Sequence, residues 1–199
     1  MGRLRVLIGE DESVAAEGLR AKLERLGHSV VGIGHDGRDA VAKAESLTPD
    51  LILLNIKMPR LDGMDATREI MAQRPTPIIL ATAHSDPDLI QEAMAAGVMG
   101  YLVKPVALKE IGPAIAVALS CFADLIALRK DVQGLKEALL VRQQVERAKG
   151  ILAQRMGLSE AEAHKRIQHL AMRDRCTLAE GAGRVIAADK FFADLETGP

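Results

Sequence analysis

Five polar side chains, each at or directly after the end of a short apolar segment, could form a phosphate-handling site: Glu10, Asp11, Asn55, Thr82 and Lys104. Short apolar runs bounded by turn residues predict strands that are buried on both faces. In open α/β sheets the carboxyl ends of the parallel strands form the ligand-binding edge. Carboxylates at that edge could hold a divalent cation, and a lysine could balance phosphate charge. The pattern therefore predicts phosphoryl chemistry, with Asn55 at the acceptor position.

Asn55 is the only asparagine in the chain. Its side-chain amide oxygen is neutral and a poor nucleophile, so we expect it to form no acyl phosphate. It also removes one negative charge from the site, which leaves only Glu10 and Asp11 as acidic metal ligands. Since magnesium depends on such carboxylates, we expect weak magnesium binding at best and no resident cofactor. A plain turn role for Asn55 at the strand end remains the alternative.

The elements that must position these side chains follow from alternating patterns along the first 120 residues. Strands are expected at residues 4–9, 29–33, 51–55, 78–81 and 100–103, with helices at about 13–26, 37–46, 62–74 and 86–96 between them. Glycines just after the first and fourth of these helices are typical C-terminal stops. Repeated strand–helix alternation predicts an α/β domain with a five-stranded, doubly wound parallel sheet.

The composition is that of an ordinary globular protein. Of the 199 residues, 48% are hydrophobic and 27% are charged, and the net charge is −1. The two cysteines, Cys121 and Cys176, have no metal-ligand spacing and are expected to be free thiols. The N-terminal apolar run is too short for a signal peptide, and no uninterrupted apolar run is long enough to span a membrane. We therefore expect a cytoplasmic protein with no membrane partner.

A heptad pattern begins near the end of the predicted α/β domain. Apolar residues recur at alternating spacings of three and four: Leu125, Leu128, Val132, Leu135 and Leu139. This spacing predicts a coiled-coil helix with a dimer seam, or else a helix packed on its own domain. Pro113 and Gly134 are positions at which a kink or a break is expected to be possible.

The last 50 residues predict a small module of three helices. Ser159 with Glu162, and Thr177 with Glu180, each fit the capping box that begins a helix. Residues 141–190 hold ten basic and six acidic side chains, a net charge of +4. In the second helix, basic side chains at spacings of three and four form a ridge: Lys165, Arg166, His169 and Arg173. Such a ridge suits a phosphate backbone, although an ordinary solvated face has the same charge pattern.

Residues 3 to about 120 resemble the receiver domain of two-component response regulators. Glu10 and Asp11 match the acid pair of that family, Thr82 the switch hydroxyl, Tyr101 the switch aromatic residue and Lys104 the lysine. The resemblance implies a flavodoxin-like fold whose aspartate accepts a phosphoryl group. Asn55 departs from the family at that acceptor position and implies a degenerate receiver that is not phosphorylated.

The sequence from Val145 to Leu152, with its Ala-Lys-Gly-Ile-Leu core, resembles the ANTAR module of transcription antiterminators. The resemblance implies binding of RNA hairpins, typically by a dimer. The implied RNA contacts are Lys149, Lys165, Arg166, His169 and Arg173, with Arg147 and Arg155 as lesser candidates. Two positions depart from the family, because His164 stands where an aromatic residue is common and Gln168 where an arginine is common.

The sequence thus predicts a receiver at residues 1–120, a coiled-coil linker at 121–140, a three-helix ANTAR module at 141–190 and a tail at 191–199. The expected function is transcription antitermination through hairpin RNA, by a homodimeric regulator that is not an enzyme and that has a possible regulatory protein partner. Two alternatives stay open: a DNA-binding regulator with a helix-turn-helix, and an interaction adaptor that binds no nucleic acid.

Overall fold

The computed structural model describes residues 2–83 and 87–196. The chain divides into two compact units, Met1–Ile126 and Ala127–Pro199. Within the described residues, the first unit contains five strands and the second contains helices alone. The boundary lies inside one long helix, so the predicted linker at 121–140 is not a separate element.

The first unit is a five-stranded parallel sheet with helices between the strands. The strands are β1 Arg5–Gly9, β2 Ser29–Gly34, β3 Leu51–Asn55, β4 Ile78–Thr82 and β5 Gly100–Val103. The intervening helices are α1 Ser13–Arg25, α2 Gly37–Leu47, α3 Gly63–Gln73 and α4 Pro87–Ala96. The strand order is β2-β1-β3-β4-β5, which is the flavodoxin-like order. The predicted fold class is confirmed, and residue 86 of the predicted fourth helix lies outside the described residues.

The sheet is buried on both faces, as the unbroken apolar strands predicted. Alternate residues of a strand point to opposite faces. Ile52 and Leu54 of β3 join a core cluster that also contains residues of α2 and α3. Leu51 and Leu53 join a second cluster with residues of α1 and of the long helix that follows β5. Burial on both faces leaves the strand ends as the places where polar side chains gather.

Two glycines allow close backbone approaches around the loop that follows β3. A Cβ at Gly63 would lie 2.1 Å from the carbonyl oxygen of Asn55. The amide of Gly63 also donates to the carbonyl of Ile56 at 2.7 Å. A Cβ at Gly37 would lie 2.0 Å from the carbonyl oxygen of Leu61. Because neither position has room for a side chain, the starts of α2 and α3 pack directly on this loop.

Helix α5 is the longest element and runs without interruption from Leu108 to Met156. Neither Pro113 nor Gly134 breaks it. Its first turns belong to the core of the first unit, where Ile111, Ile115 and Ala118 are fully buried. Part of α5 is long and apolar enough to cross a membrane by length and composition, although charged residues interrupt its apolar runs. Core helices of soluble proteins meet the same criterion.

The second unit packs the end of α5 against α6 Glu160–Arg173 and α7 Leu178–Glu196. Its core consists of Val145, Ala148, Ile167 and Ala182, with partly buried apolar neighbours around them. Small residues let α6 and α7 approach closely, since a Cβ at Gly181 would lie 3.3 Å from Cβ of Ala171. The three-helix architecture is therefore as predicted.

Both helix starts in this unit have the predicted caps. Ser159 forms the reciprocal capping box with Glu162 at the start of α6. At the start of α7, the Thr177 amide donates to Glu180 at 2.7 Å and the Glu180 amide donates to the Thr177 hydroxyl at 3.2 Å. Helix α7 extends to Glu196, so the predicted tail is helical over residues 191–196, and 197–199 lie outside the described residues.

Candidate functional site

The polar residues at the strand ends of the first unit come together around the carboxylate of Glu10. Strand β1 lies between β2 and β3 in the sheet, and Glu10 follows it directly. The Glu10 side chain is only 1% exposed. Its backbone amide donates to the carbonyl of Gly34 at 2.9 Å, which fixes the residue beside the end of β2. A buried carboxylate requires partners for both of its oxygens.

Asn55 supplies one of those partners from the end of β3. Its Nδ2 donates to Oε1 of Glu10 at 3.2 Å and to Oδ1 of Asp11 at 2.9 Å. It also donates to the carbonyl oxygen of Lys57 at 2.9 Å. Three oxygens thus converge on one amide nitrogen, which carries only two hydrogens. A carboxylate can only accept, so the nitrogen is the end of the amide that belongs there.

Lys104 supplies the second partner of Glu10 from the end of β5. Its Nζ lies 2.7 Å from Oε2 of Glu10, and the Lys104 side chain is 27% exposed. The backbone amide of Lys104 donates to the carbonyl of Thr82 at 2.7 Å, which places it beside the end of β4. The predicted convergence of Glu10, Asp11, Asn55 and Lys104 is therefore what the structure shows.

Thr82 and Tyr101 occupy different environments. Thr82 is 5% exposed at the end of β4, whereas Tyr101 on β5 is 48% exposed. Strand β5 is an edge strand of the sheet. The phenol ring therefore faces solvent to a large extent, and the switch roles that the resemblance implies for both residues stay predictions.

A divalent cation does not fit this arrangement as it stands. Glu10, Asp11 and the Lys57 carbonyl present the oxygens that magnesium prefers. Those oxygens already accept from the Asn55 amide, and Glu10 is also paired with Lys104. An N–H donor repels a cation, so binding would require the amide to leave or turn over. Among the described residues, no group of three or more histidine, cysteine or acidic side chains could hold a metal.

In the second unit, the ammonium group of Lys149 forms ion pairs with two carboxylates. Its Nζ lies 2.9 Å from Glu146 and 2.5 Å from Glu160, and the Lys149 side chain is 11% exposed. These hydrogen bonds, the one to Glu160 first, raise the pKa of Lys149, which stays charged. The pair with Glu160 links α5 to the first turn of α6. A ligand phosphate would have to compete with both carboxylates.

Other predicted RNA contacts are also paired. Arg155 lies 2.8 Å from Asp189, and Arg173 lies 2.8 Å from Asp174. The hydrogen bond from Arg173 lowers the pKa of Asp174, which also accepts from Arg184. Neither these carboxylates nor Glu160 had been predicted as partners of the basic side chains. Only Glu146 could have been found from sequence, because it stands three residues before Lys149 on one helix.

The remaining candidates on this unit are exposed, and within the part of the chain that the structure describes they form no hydrogen bond or salt bridge, although Lys165 interacts electrostatically with Glu162. They are Arg147 on α5 and Lys165, Arg166 and His169 on α6. On α6 these side chains lie opposite the buried stripe of Ala163, Ile167 and Ala171. The predicted ridge thus exists as an exposed surface, with Arg173 at its end engaged by Asp174.

The predicted dimer seam is divided between two environments. Leu125 is partly buried against the core of the first unit. Leu128, Val132, Leu135 and Leu139 are 61%, 42%, 71% and 56% exposed. These four residues, called the exposed seam below, have no apolar partner within the described chain that buries them.

Comparison with known proteins matches each of the two units to a different domain family. Residues 6–116 match the family model of the response regulator receiver domain, and residues 133–186 match that of the ANTAR domain. Over 182 residues the chain is 44% identical to the transcriptional regulatory protein PdtaR of Mycobacterium tuberculosis (strain CDC 1551 / Oshkosh). That match covers 92% of this chain and 89% of the relative.

Two further comparisons are shorter. The chain is 38% identical over 108 residues to protein-glutamate methylesterase/protein-glutamine glutaminase 2 of Carboxydothermus hydrogenoformans, covering 53% of this chain and 30% of that protein. The signal receiver domain of a modulated diguanylate cyclase from Desulfovibrio desulfuricans G20 is similar with a TM-score of 0.57 and 36% identity. It covers 61% of this chain and 98% of that one.

The first prediction concerns the strand-end pocket. The wild-type chain, incubated with acetyl phosphate and magnesium, is expected to gain no phosphoryl mass, because an amide forms no acyl phosphate. Asn55→Asp is expected to gain one hydroxylamine-labile phosphoryl group, measured by intact-mass spectrometry, since Glu10, Asp11 and Lys104 already surround that position. Asn55→Ser, which removes the amide without supplying a carboxylate, is the matched control. A labile adduct on the wild type would contradict the prediction.

Proposed function

Because this chain belongs to the response regulators that join a receiver domain to an ANTAR domain, we propose that it is a cytoplasmic transcription antiterminator that binds hairpin RNA. This family is regulatory rather than enzymatic. The observation that carries the proposal is the match of residues 133–186 to the ANTAR domain, together with the cationic face of α6 inside that range. The shared ancestry with a transcriptional regulatory protein over 92% of the chain supports the same function.

The cationic face of α6 suits a phosphate backbone. Lys165, Arg166 and His169 project from a helix whose opposite side is anchored in the core by Ile167. They are exposed and form no salt bridge within the described residues, so binding would not have to uncover a buried group. The scarcity of aromatic residues disfavours stacking of bases on a sheet platform. Recognition would then depend on helix surfaces and on the geometry of the RNA loop.

We also propose that the receiver is not controlled by phosphorylation. The Asn55 amide supplies hydrogen-bond donors where a receiver needs a nucleophilic carboxylate, and it engages both acids of the pocket. Control would come instead from a regulatory protein partner or from the concentration of the chain. The exposed seam supports association into a homodimer, since four large apolar residues face solvent on one helix.

A DNA-binding role is the second candidate, and one observation favours it. Only residues 174–177 separate α6 from α7, and Arg175 adopts a left-handed conformation with φ of 52°. The turn is therefore as short as that of a helix-turn-helix, although it contains no glycine. Helix α6, at 14 residues, remains long for the first helix of that motif. Competition between a hairpin RNA and duplex DNA for the full chain separates the two functions.

The second prediction tests the α6 surface. The affinity for a cognate hairpin is expected to fall with salt, because each neutralised phosphate releases counterions. Lys165→Ala is expected to reduce the slope of log affinity against log salt by about 0.7, the value for one single-strand contact. Lys130→Ala is the matched control, since Lys130 is an exposed cation outside the ANTAR match. Equal slopes for wild type and Lys165→Ala would remove Lys165 from the surface.

The third prediction concerns Lys149. If its ammonium group contacts RNA, Glu160→Gln is expected to strengthen binding severalfold, because one competing carboxylate is neutralised. Lys149→Ala is then expected to weaken binding and to abolish the effect of Glu160→Gln. Both are measured by filter binding at fixed salt. If Lys149→Ala lowers the thermal midpoint of unfolding but leaves RNA affinity unchanged, the residue serves only to join α5 to α6.

The fourth prediction concerns the homodimer. Replacing Leu128 and Leu135 together with lysine places like charges along the exposed seam and is expected to give monomers in light scattering. Because both side chains are exposed in the single chain, the fold should tolerate the change, and circular dichroism checks this. Ile126→Lys/Leu140→Lys, which alters two exposed apolar residues of α5 outside the seam, is the control. A wild type that is already monomeric at high concentration would contradict the prediction.

A further inference from the structure

One carboxylate holds two arginines together at the turn between α6 and α7. Asp174 follows the last residue of α6, and its side chain is 19% exposed. It accepts from Nε of Arg173 at 2.8 Å and from Nη2 of the same residue at 3.3 Å. It also accepts from Nη1 of Arg184, which lies on α7. Two guanidinium groups from different helices thus share one acceptor.

Both arginines keep donors that Asp174 does not use. A guanidinium group has five N–H donors on a planar frame. Arg173 gives only its Nε–Nη2 edge to Asp174, which leaves the edge between its two Nη atoms, and Arg184 gives only Nη1. Within the described residues no other hydrogen bond engages either side chain, although Arg184 also interacts electrostatically with Glu180. Their side chains are 73% and 55% exposed, so both remain accessible, in contrast to Lys149.

Backbone hydrogen bonds fix the turn that carries Asp174. The Arg175 amide donates to the carbonyl of Met172 at 3.3 Å, and the Cys176 amide donates to that of Ala171 at 2.9 Å. These two bonds form a Schellman motif, in which glycine usually occupies the left-handed position. Here that position is Arg175, with φ of 52°, and its exposed side chain forms no hydrogen bond or salt bridge within the described residues. A side chain is costly in this conformation, and such strain is typical of functional positions.

We propose that Asp174 positions Arg173 and Arg184 to bind one phosphate group of a hairpin RNA, and that Arg175 contacts a further phosphate. This inference rests on the proposed function and adds a contact site at the α6–α7 turn to the surface of α6. Arginine binds phosphate through two parallel N–H···O bonds, so its fork must be oriented before both can form. Three arginines and one aspartate give the turn a net charge of +2, which attracts phosphate in spite of the carboxylate.

Neutralising Asp174 separates positioning from simple electrostatics. The probe is the tightest-binding hairpin that the wild-type chain selects from an RNA library with randomised loops. If Asp174 only adds negative charge, Asp174→Asn strengthens binding. Because Asp174 orients two guanidinium groups, Asp174→Asn is instead expected to weaken binding about tenfold, although the turn becomes more positive. Equal or stronger binding by a folded Asp174→Asn chain would overturn the proposal.

Arg184→Lys is a second variant, which keeps the charge and removes the fork. It is expected to weaken binding severalfold with little change in the slope of log affinity against log salt, since that slope depends on charge. Arg129→Lys, at an exposed position of α5 outside the ANTAR match, is the matched control and is expected to bind like the wild type. Wild-type affinity for Arg184→Lys would contradict the shared phosphate contact.

A variant without either fork tests whether Asp174 acts through the arginines. In an Arg173→Lys/Arg184→Lys chain, adding Asp174→Asn is expected to cause no further loss of RNA affinity. A further tenfold loss would mean that Asp174 supports the fold rather than the two side chains, and would overturn its positioning role.

Arg175→Gly tests the third arginine. Glycine suits the left-handed conformation, so the thermal midpoint of unfolding is expected not to fall, whereas RNA affinity is expected to weaken with the loss of one cation. Unchanged affinity would contradict the contact assigned to Arg175.

The proposed function and this inference fail in different ways. If the wild-type chain selects no hairpin, the proposed function is wrong and the turn site is wrong with it. If the wild type binds and Lys165→Ala weakens binding but Asp174→Asn does not, the α6 surface stands and only the turn site is wrong. If the turn variants change affinity for duplex DNA and not for the hairpin, the assignment of this site to RNA is overturned.

Discussion

The strand-end pocket depends on one buried carboxylate, Glu10, and on the two side chains that engage its oxygens. Glu10 is fully buried at the end of the strand that lies between β2 and β3, and a charge in that position is costly unless both oxygens are engaged. Lys104 reaches it from β5 and Asn55 from β3. One carboxylate therefore ties three strand ends together. The Asn55 amide and the Lys104 ammonium group engage the carboxylate oxygens that a bound cation could otherwise contact. Both oxygens of Glu10 thus have partners within the single chain.

In the terminal module, too, pairs of opposite charge join different secondary-structure elements, here on the surface. Its core is thin and rich in alanine, which lets the helices approach closely but buries little apolar area per residue. Pairs such as Lys149 with Glu160 and Arg155 with Asp189 join neighbouring helices across that core. The cations that pair between helices are thereby distinct from those that remain available to a ligand, and this division, rather than net charge, defines the candidate RNA surface.

Local patterns in the sequence predicted most of the fold. Buried strands, helix stops and the capping boxes at Ser159 and Thr177 depend on neighbours within a few residues, so periodicity and spacing revealed them. The convergence of Glu10, Asn55 and Lys104 could be predicted because parallel strands share one edge. The pairs of Lys149 with Glu160 and of Arg155 with Asp189 could not be predicted, because those contacts depend on how side chains meet after the helices pack. Nor could the sequence predict that α5 continues through Pro113, because tertiary packing decides whether a single proline breaks a helix.

The contacts of Asn55 also have a consequence for how long a signal can last. An acyl phosphate is reactive, and its hydrolysis ends the signal. In a receiver that forms one, the rate of this hydrolysis therefore limits the lifetime of the active state. Under the proposed function, the Asn55 amide replaces that reactive group with hydrogen bonds, which are part of the folded structure and are not consumed by hydrolysis. Such a regulator would keep no chemical memory of a past stimulus. Its output would follow the present amount of chain, partner and RNA, and would end only through dissociation or degradation.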